Sequence, residues 1–155
     1  MTTTPTAESV FARGGRRGER GRRRLAEGQT EEPVTVLVVD DSAVFRRGMA
    51  RAVQSHAALE LVGEADSGEA ALDAIARLRP DVVLLDLRMP DLDGLTVLAR
   101  LRRSDPRPSC RVLIVSASLD EEVERLAGAA GAAGCMGKDS SRAAICAEAL
   151  RLARQ

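Results

Sequence analysis

Lys138 is the only lysine in a chain of 155 residues that carries 22 arginines. An ammonium is a compact point charge on a flexible stem, whereas a guanidinium is a planar fork with fixed donors. A single phosphoryl oxygen beside a small metal site is better served by the ammonium. Three carboxylates and a hydroxyl occur where they could join it: Asp40 and Asp41 follow the apolar run VTVLVV, Asp86 closes DVVLLD, and Ser116 lies near the end of RVLIVSA. Carboxylates gathered at one point repel each other unless a cation joins them. An all-oxygen donor set suits Mg2+, which takes one or two carboxylates plus phosphate oxygens and keeps several waters. No histidine or cysteine accompanies these acids to bind zinc; His56 falls in the tail of a helical segment and reads as a surface residue. With a metal bound, a carboxylate can attack a phosphoryl group and form an acyl phosphate. The rest of such a transfer is positioning and charge neutralisation. Each residue also has an ordinary use alone, the aspartates as caps or turn residues and the lysine as a surface charge.

The spacing of apolar residues dictates what must hold these groups. Short apolar runs at 34–39, 59–65, 81–86, 111–117 and, more weakly, 132–137 alternate with Ala-, Leu-, Arg- and Glu-rich segments near 42–55, 67–78, 94–103, 119–130 and 140–153. The first, third and fourth runs are almost continuous in Val, Leu and Ile, as in parallel strands covered on both faces. The intervening segments suit helices. Ser118 and Glu121 have the spacing of a capping box for the fourth helix, and Pro80 and Pro106 are placed to stop the second and third. Five β-α units predict an α/β fold with a parallel sheet, helices on both faces and right-handed crossovers. Ligands bind such sheets at the carboxyl ends of the strands. Asp40, Asp41, Asp86 and Ser116 all fall at such ends and Lys138 follows the fifth strand, so the five groups converge on one rim.

Composition narrows the function classes. Phe11 and Phe45 are the whole aromatic supply, which excludes a single-stranded nucleic-acid platform of stacked rings. Cys110, Cys135 and Cys146 are odd in number and fit neither a disulfide framework nor CxxC ligation, so reduced thiols in a cytoplasmic protein are expected. No apolar stretch approaches the roughly 18 residues of a membrane span, and no signal peptide opens the chain. Residues 1–32, with the run RGGRRGERGRRR, lack apolar periodicity and read as a disordered Arg/Gly-rich tail ahead of a domain at 33–155. The run has the charge to touch nucleic acid or an acidic surface, though a solvated tail is the plainer use. A translation start near Val34 would remove it altogether.

The motifs VLVVDDS (36–42), VVLLDLRMPDLDG (82–94), VSAS (115–118) and GKD (137–139) resemble the receiver domain of two-component response regulators over residues 34 to about 153. Separations of 45 residues from Asp41 to Asp86, 30 to Ser116 and 22 to Lys138 are similar to that family's. The stretches VGEADSGEAAL (62–72) and KDSS (138–141), with Asp139 where many receivers place Pro, look most like the LuxR-type subclass. The resemblance implies a flavodoxin-like, five-stranded parallel sheet of order 2-1-3-4-5. It implies Asp86 as phosphoacceptor, with Asp41, Asp86 and the Arg88 backbone carbonyl as direct Mg2+ ligands and Asp40 close by, held through water. Ser116 would be the switch hydroxyl and Lys138 the phosphate-contacting cation, while Met89, Pro90 and Gly94 shape the loop after Asp86. A sensor histidine kinase would donate the phosphoryl group, and the helix 4–strand 5–helix 5 face would then change its preference for a downstream protein. Homodimerisation is left open.

Two departures from the family pattern bear on output. Cys135 stands where receivers usually carry the Tyr or Phe that swings inward, and Gly137 replaces the usual apolar residue before the lysine. The tract 128–134 reads GAAGAAG, and glycine in a helix costs about 1 kcal/mol against alanine, so the segment entering the fifth strand should be soft. Phosphorylation is then expected to reorder that segment in place of rotating a ring, unless Cys135 is only a small buried hydrophobe. LuxR-type regulators usually continue into a DNA-binding domain. No DNA-reading helix follows here, so direct sequence-specific DNA binding is not expected. Three other readings compete. The stretch DLDGLT (91–96) is similar to the DxDG motif of haloacid-dehalogenase-type phosphatases, but Asp91 follows Pro90, which cannot sit in a central strand. A dinucleotide-binding domain needs a Gly-rich first turn, and DDSAVF would repel a pyrophosphate. A receiver-shaped module that signals without phosphorylation remains the main alternative, opposed by the complete acid set.

Overall fold

The near-continuous Val, Leu and Ile runs become the centre of a five-stranded parallel sheet. A computed structural model describes residues 32–105 and 110–155. The strands are β1 (Val34–Val39), β2 (Leu59–Ala65), β3 (Val82–Leu85), β4 (Arg111–Ser116) and β5 (Gly134–Gly137), and they lie in the order β2-β1-β3-β4-β5. The helices between and after them are α1 (Ala43–Ser55), α2 (Gly68–Leu78), α3 (Gly94–Ser104), α4 (Glu121–Ala130) and α5 (Arg142–Ala153). This is the doubly wound, flavodoxin-like architecture expected. The anticipated 1–32 tail lies outside the described residues except for Glu32, and so does Pro106.

Alternate strand residues feed two separate cores, because successive side chains point to opposite faces. Leu37, Val39, Val83, Leu85, Val112 and Ile114 pack against α2, α3 and α4 through Ala71, Ile75, Val97, Leu98 and Ala127. Val36, Val38, Leu84, Leu113 and Val115 pack against α1 and α5 through Met49, Val53, Ile145 and Leu152. Both faces of the middle strands are thus dry. The buried aspartates Asp40 and Asp86 sit where β1 and β3 emerge at their carboxyl ends.

The turns show how local chemistry starts and stops the helices. Ser42, Ser67, Asp93 and Ser141 cap α1, α2, α3 and α5 by accepting from the amide three residues on. The expected Ser118–Glu121 capping box does not form. Asp120 caps α4 instead, its Oδ1 accepting from Val123 N at 2.8 Å, and the Ser118 amide donates to Ser116 Oγ at 3.1 Å. A carboxylate two residues nearer the helix is the stronger acceptor for those positive amides. Pro80 does end α2, since it bars the preceding residue from helical backbone; Arg79 takes the left-handed conformation at φ 50°. His56, expected at the surface, is half-buried as the C-cap of α1, its Nδ1 accepting from Ala58 N at 3.1 Å.

Candidate functional site

Ladder hydrogen bonds continue just past the strand ends and thereby set the acids in register. The Asp40 amide donates to Ala65 O at 3.1 Å, the Asp86 amide to Val39 O at 3.0 Å, and the Lys138 amide to Ser116 O at 2.9 Å. As a result carboxylate oxygens of Asp40, Asp41 and Asp86 lie within 4.8 Å of one another. Asp40 and Asp86 are buried while Asp41 is exposed, so the group opens to solvent on one side.

Lys138 reaches into this cluster from the loop after β5. Its Nζ is 2.7 Å from Asp40 Oδ2 and 3.6 Å from Asp86 Oδ1. Burial works against its charge, but Asp40 first and Asp86 second hold the ammonium above its ordinary pKa. Asp86 shows the converse. Burial, then the negative charge of Asp40, raise its carboxyl from 3.8 to about 6; Lys138 and a hydrogen bond from the Arg88 amide pull it down, and Asp41 adds to the rise. Three carboxylates against one ammonium leave an excess of about two negative charges on formal count. A small divalent cation with oxygen ligands fits that excess and that donor set.

The remaining expected residues are placed as follows. Ser116 is buried on β4, with its carbonyl bound to the Lys138 amide and its Oγ accepting from Ser118 N, which leaves the hydroxyl proton to give. Arg88 is exposed in the loop after β3, its amide turned to Asp86. Gly94 lies under that loop, its amide donating to Leu87 O at 2.8 Å; a Cβ there would sit 2.8 Å from the Asp86 carbonyl oxygen. Cys135 is half-buried on β5, paired with Ile114 and packed against the α2–α4 side of the core. Burial and the charge of Glu124 push its thiol up, which keeps the thiol protonated. Cys110, Cys135 and Cys146 are all free thiols.

The DLDG acids are used as helix caps. Asp91 accepts from Gly68 N and Glu69 N, each at 2.9 Å, and Asp93 caps α3. Both carboxylates are committed to helix-start amides and lie outside the Asp40–Asp41–Asp86 cluster, so the DxDG resemblance is accounted for by capping.

Three contributors escaped the sequence reading. The Ser42 amide donates to Asp40 Oδ1 at 2.8 Å. Buried Arg46 binds the Asp40 carbonyl at 3.0 Å through Nη1 and Glu64 at 3.0 Å through Nε. Phe45 places its ring centroid 4.7 Å from Lys138 Nζ and 6.0 Å from Arg142 Cζ. Only the scarcity of both aromatics and lysines hinted at the last pairing.

The family model of the response regulator receiver domain matches residues 36–150. The chain belongs to the response regulator receiver family. Among curated relatives, the transcriptional regulatory protein NarL of Mycobacterium tuberculosis is 46% identical over 114 residues, covering 74% of this chain and 52% of NarL. Response regulator GacA of Pseudomonas viridiflava is 39% identical over 119 residues, covering 77% and 54%. The chain therefore spans about half the length of these two receivers' parent proteins. Among solved structures, the receiver domain of M. tuberculosis NarL superposes with a TM-score of 0.75 at 42% identity, covering 79% of this chain and 97% of that one. A CheX–CheY–BeF3–Mg2+ complex from Borrelia burgdorferi superposes with a TM-score of 0.71 at 27% identity, covering 77% and 89%. Receiver domains are signalling modules of two-component systems, and no helix among the described residues is long and apolar enough to cross a membrane.

Proposed function

We propose that residues 33–155 act in the cytoplasm as a phosphoacceptor switch: a sensor histidine kinase transfers a phosphoryl group to Asp86, and the α4–β5–α5 face then changes its affinity for a partner protein. The observation that carries this reading is the Asp40–Asp41–Asp86 cluster with Lys138 pinned between two of its members. A relative of the same fold whose complex is named with BeF3 and Mg2+ supports an anion-plus-divalent-cation reading.

Asp40, Asp41 and Asp86, with the Arg88 carbonyl, would hold Mg2+, which when bound neutralises the phosphoryl oxygens and the crowded acids. Asp86 supplies the nucleophile: one carboxylate oxygen forms the new O–P bond as the N–P bond to the donor imidazole breaks, and the imidazole leaves with the bonding electrons. Lys138 moves its charge from Asp40 toward the incoming oxygens, a displacement that its long stem allows. The Ser116 hydroxyl donates to another phosphoryl oxygen. The product adds roughly −1.5 to −2 of charge at the rim, and drawing Ser116 and Lys138 inward moves the ends of β4 and β5. Those strand ends lead directly into α4 and α5. A partner responds only if it contacts the two states differently. The exposed surface of α4 carries Glu121, Glu122 and Arg125 for such contacts.

An Mg2+-dependent mobility shift with acetyl phosphate, absent in Asp86→Asn, tests the reading. A module that signals without phosphorylation would show no shift in the wild type, and a partner would bind equally with and without the phosphodonor.

A further inference from the structure

We infer that Phe45 is a positioning residue for Lys138: its ring face seats the ammonium beside the acidic cluster, so that the ammonium stays over Asp86 when Asp40 is engaged elsewhere. The inference rests on the proposed phosphoryl transfer to Asp86. Its basis is the meeting of two scarce residues. Lys138 is the sole lysine and Phe45 one of two aromatic residues, and the ammonium lies 4.7 Å from the ring centroid, within the roughly 6 Å range of cation–π attraction.

The same short segment that delivers Asp40 and Asp41 also delivers the ring. Ser42 caps α1 by accepting the Phe45 amide at 3.3 Å, which fixes the first turn relative to the acids. Phe45 is half-buried and packs on the α1–α5 side of the core. Arg142, the first residue of α5, lies at 6.0 Å from the same ring, and its guanidinium occupies the space that a Cβ on Gly48 would need. Helices α1 and α5 therefore meet through Phe45, Gly48 and Arg142, which holds the ring where Lys138 emerges from the loop between β5 and α5.

The ring offers the ammonium something a carboxylate cannot. Its nearest anion is Asp40 at 2.7 Å, not Asp86 at 3.6 Å. Asp40 engaged as a metal ligand has less charge to offer, and the lysine side chain is 19% exposed, with water as its alternative. A ring face attracts the cation through its quadrupole without formal charge, so it neither neutralises the ammonium nor competes with phosphoryl oxygens for the metal. The ammonium arrives already oriented, and orientation lowers the barrier of the transfer.

Two measurements on the full chain test this with Phe45→Leu, which keeps an apolar side chain, and Phe45→Tyr, which keeps the ring. First, lysine labelled with 13C at Cε gives one unambiguous signal, because there is one lysine. Its ε protons should resonate upfield of their solvent-exposed position in wild type and Phe45→Tyr, and return toward it in Phe45→Leu, with or without Mg2+. Second, phosphorylation by acetyl phosphate at saturating Mg2+ should slow by about two- to tenfold in Phe45→Leu and recover in Phe45→Tyr, with the Mg2+ Kd within about twofold of wild type in both. An ordinary lysine signal in the wild type overturns the seat. Equal impairment of both variants, or no impairment of Phe45→Leu where the wild type is labelled, overturns the positioning role. A wild type that takes no label but shows the upfield signal would instead sink the phosphotransfer reading and leave the seat standing.

Discussion

Replacing Asp86 by Asn should stabilise the metal-free protein, although it removes the residue on which the proposed chemistry depends. Burial, with Asp40 and Asp41 nearby, raises the Asp86 carboxyl from 3.8 to about 6. A carboxyl raised by folding binds its proton more tightly in the native state than in the unfolded chain. Its ionisation therefore costs stability, fully above about pH 6, and the cost shrinks as pH falls toward 3.8. The gap between 3.8 and about 6 corresponds to about 3 kcal/mol. Asparagine removes the charge but leaves a buried amide with partners arranged for a carboxylate, so a net gain of about 1–3 kcal/mol is expected near pH 7.5. For a domain of this size that is a rise in Tm of about 4–10 °C. Urea titration of both proteins in chelator, repeated near pH 7.5, 6 and 4.5, reads the effect, and groups common to both proteins cancel in the difference. The gain should shrink by about 2 kcal/mol by pH 4.5, still above the unfolded value of 3.8, and be reduced or reversed by saturating Mg2+, which stabilises the wild type by binding its native state. A wild type as stable as Asp86→Asn near pH 7.5 in chelator, or a difference indifferent to pH, would refute the electrostatic reasoning.

Lys138→Met should lower stability by about 3 kcal/mol in chelator, because buried Asp40 loses its partner; Mg2+ should restore much of it, as thermal unfolding would show. Gly131→Ala and Gly128→Ala should change stability in opposite directions. Gly131 ends α4 at φ 111° beneath the Arg102 guanidinium, while nothing lies within 4 Å of a Cβ at Gly128. We expect a loss of about 1–2 kcal/mol for the first and a gain of about 0.5–1 kcal/mol for the second, measured by denaturant titration. Amide exchange of residues 126–137 should slow when fluoroberyllate and Mg2+ are added; unchanged protection would count against a reordering of the α4–β5 segment.

The sheet was legible because strands dry on both faces must be written in Val, Leu and Ile, and runs at 34–39, 81–86 and 111–117 are too short for helices. The acids were legible for the related reason that a charge abutting such a run has to lie where the strand emerges. Asp40, Asp41, Asp86 and Lys138 do meet. Helix starts were less readable, since Ser118, Asp120 and Glu121 all favour a first turn and their competition is settled by local geometry; Asp120 won. Gly131 reads as a weak point within a helix, yet in the fold it occupies the left-handed cap where glycine is the favoured residue. Arg46 and Phe45 went unseen because their value depends on neighbours 18 and 93 positions away, Glu64 and Lys138, and no local period encodes such pairs.

The most direct measurement is the intact mass of the wild-type chain after incubation with acetyl phosphate in Mg2+ or in chelator, with borohydride reduction to locate any acyl phosphate. One phosphoryl group per chain in Mg2+, none in chelator, and homoserine found at position 86 is the result expected. No label in Mg2+, or a label that maps to another residue and persists in Asp86→Asn, would contradict the account.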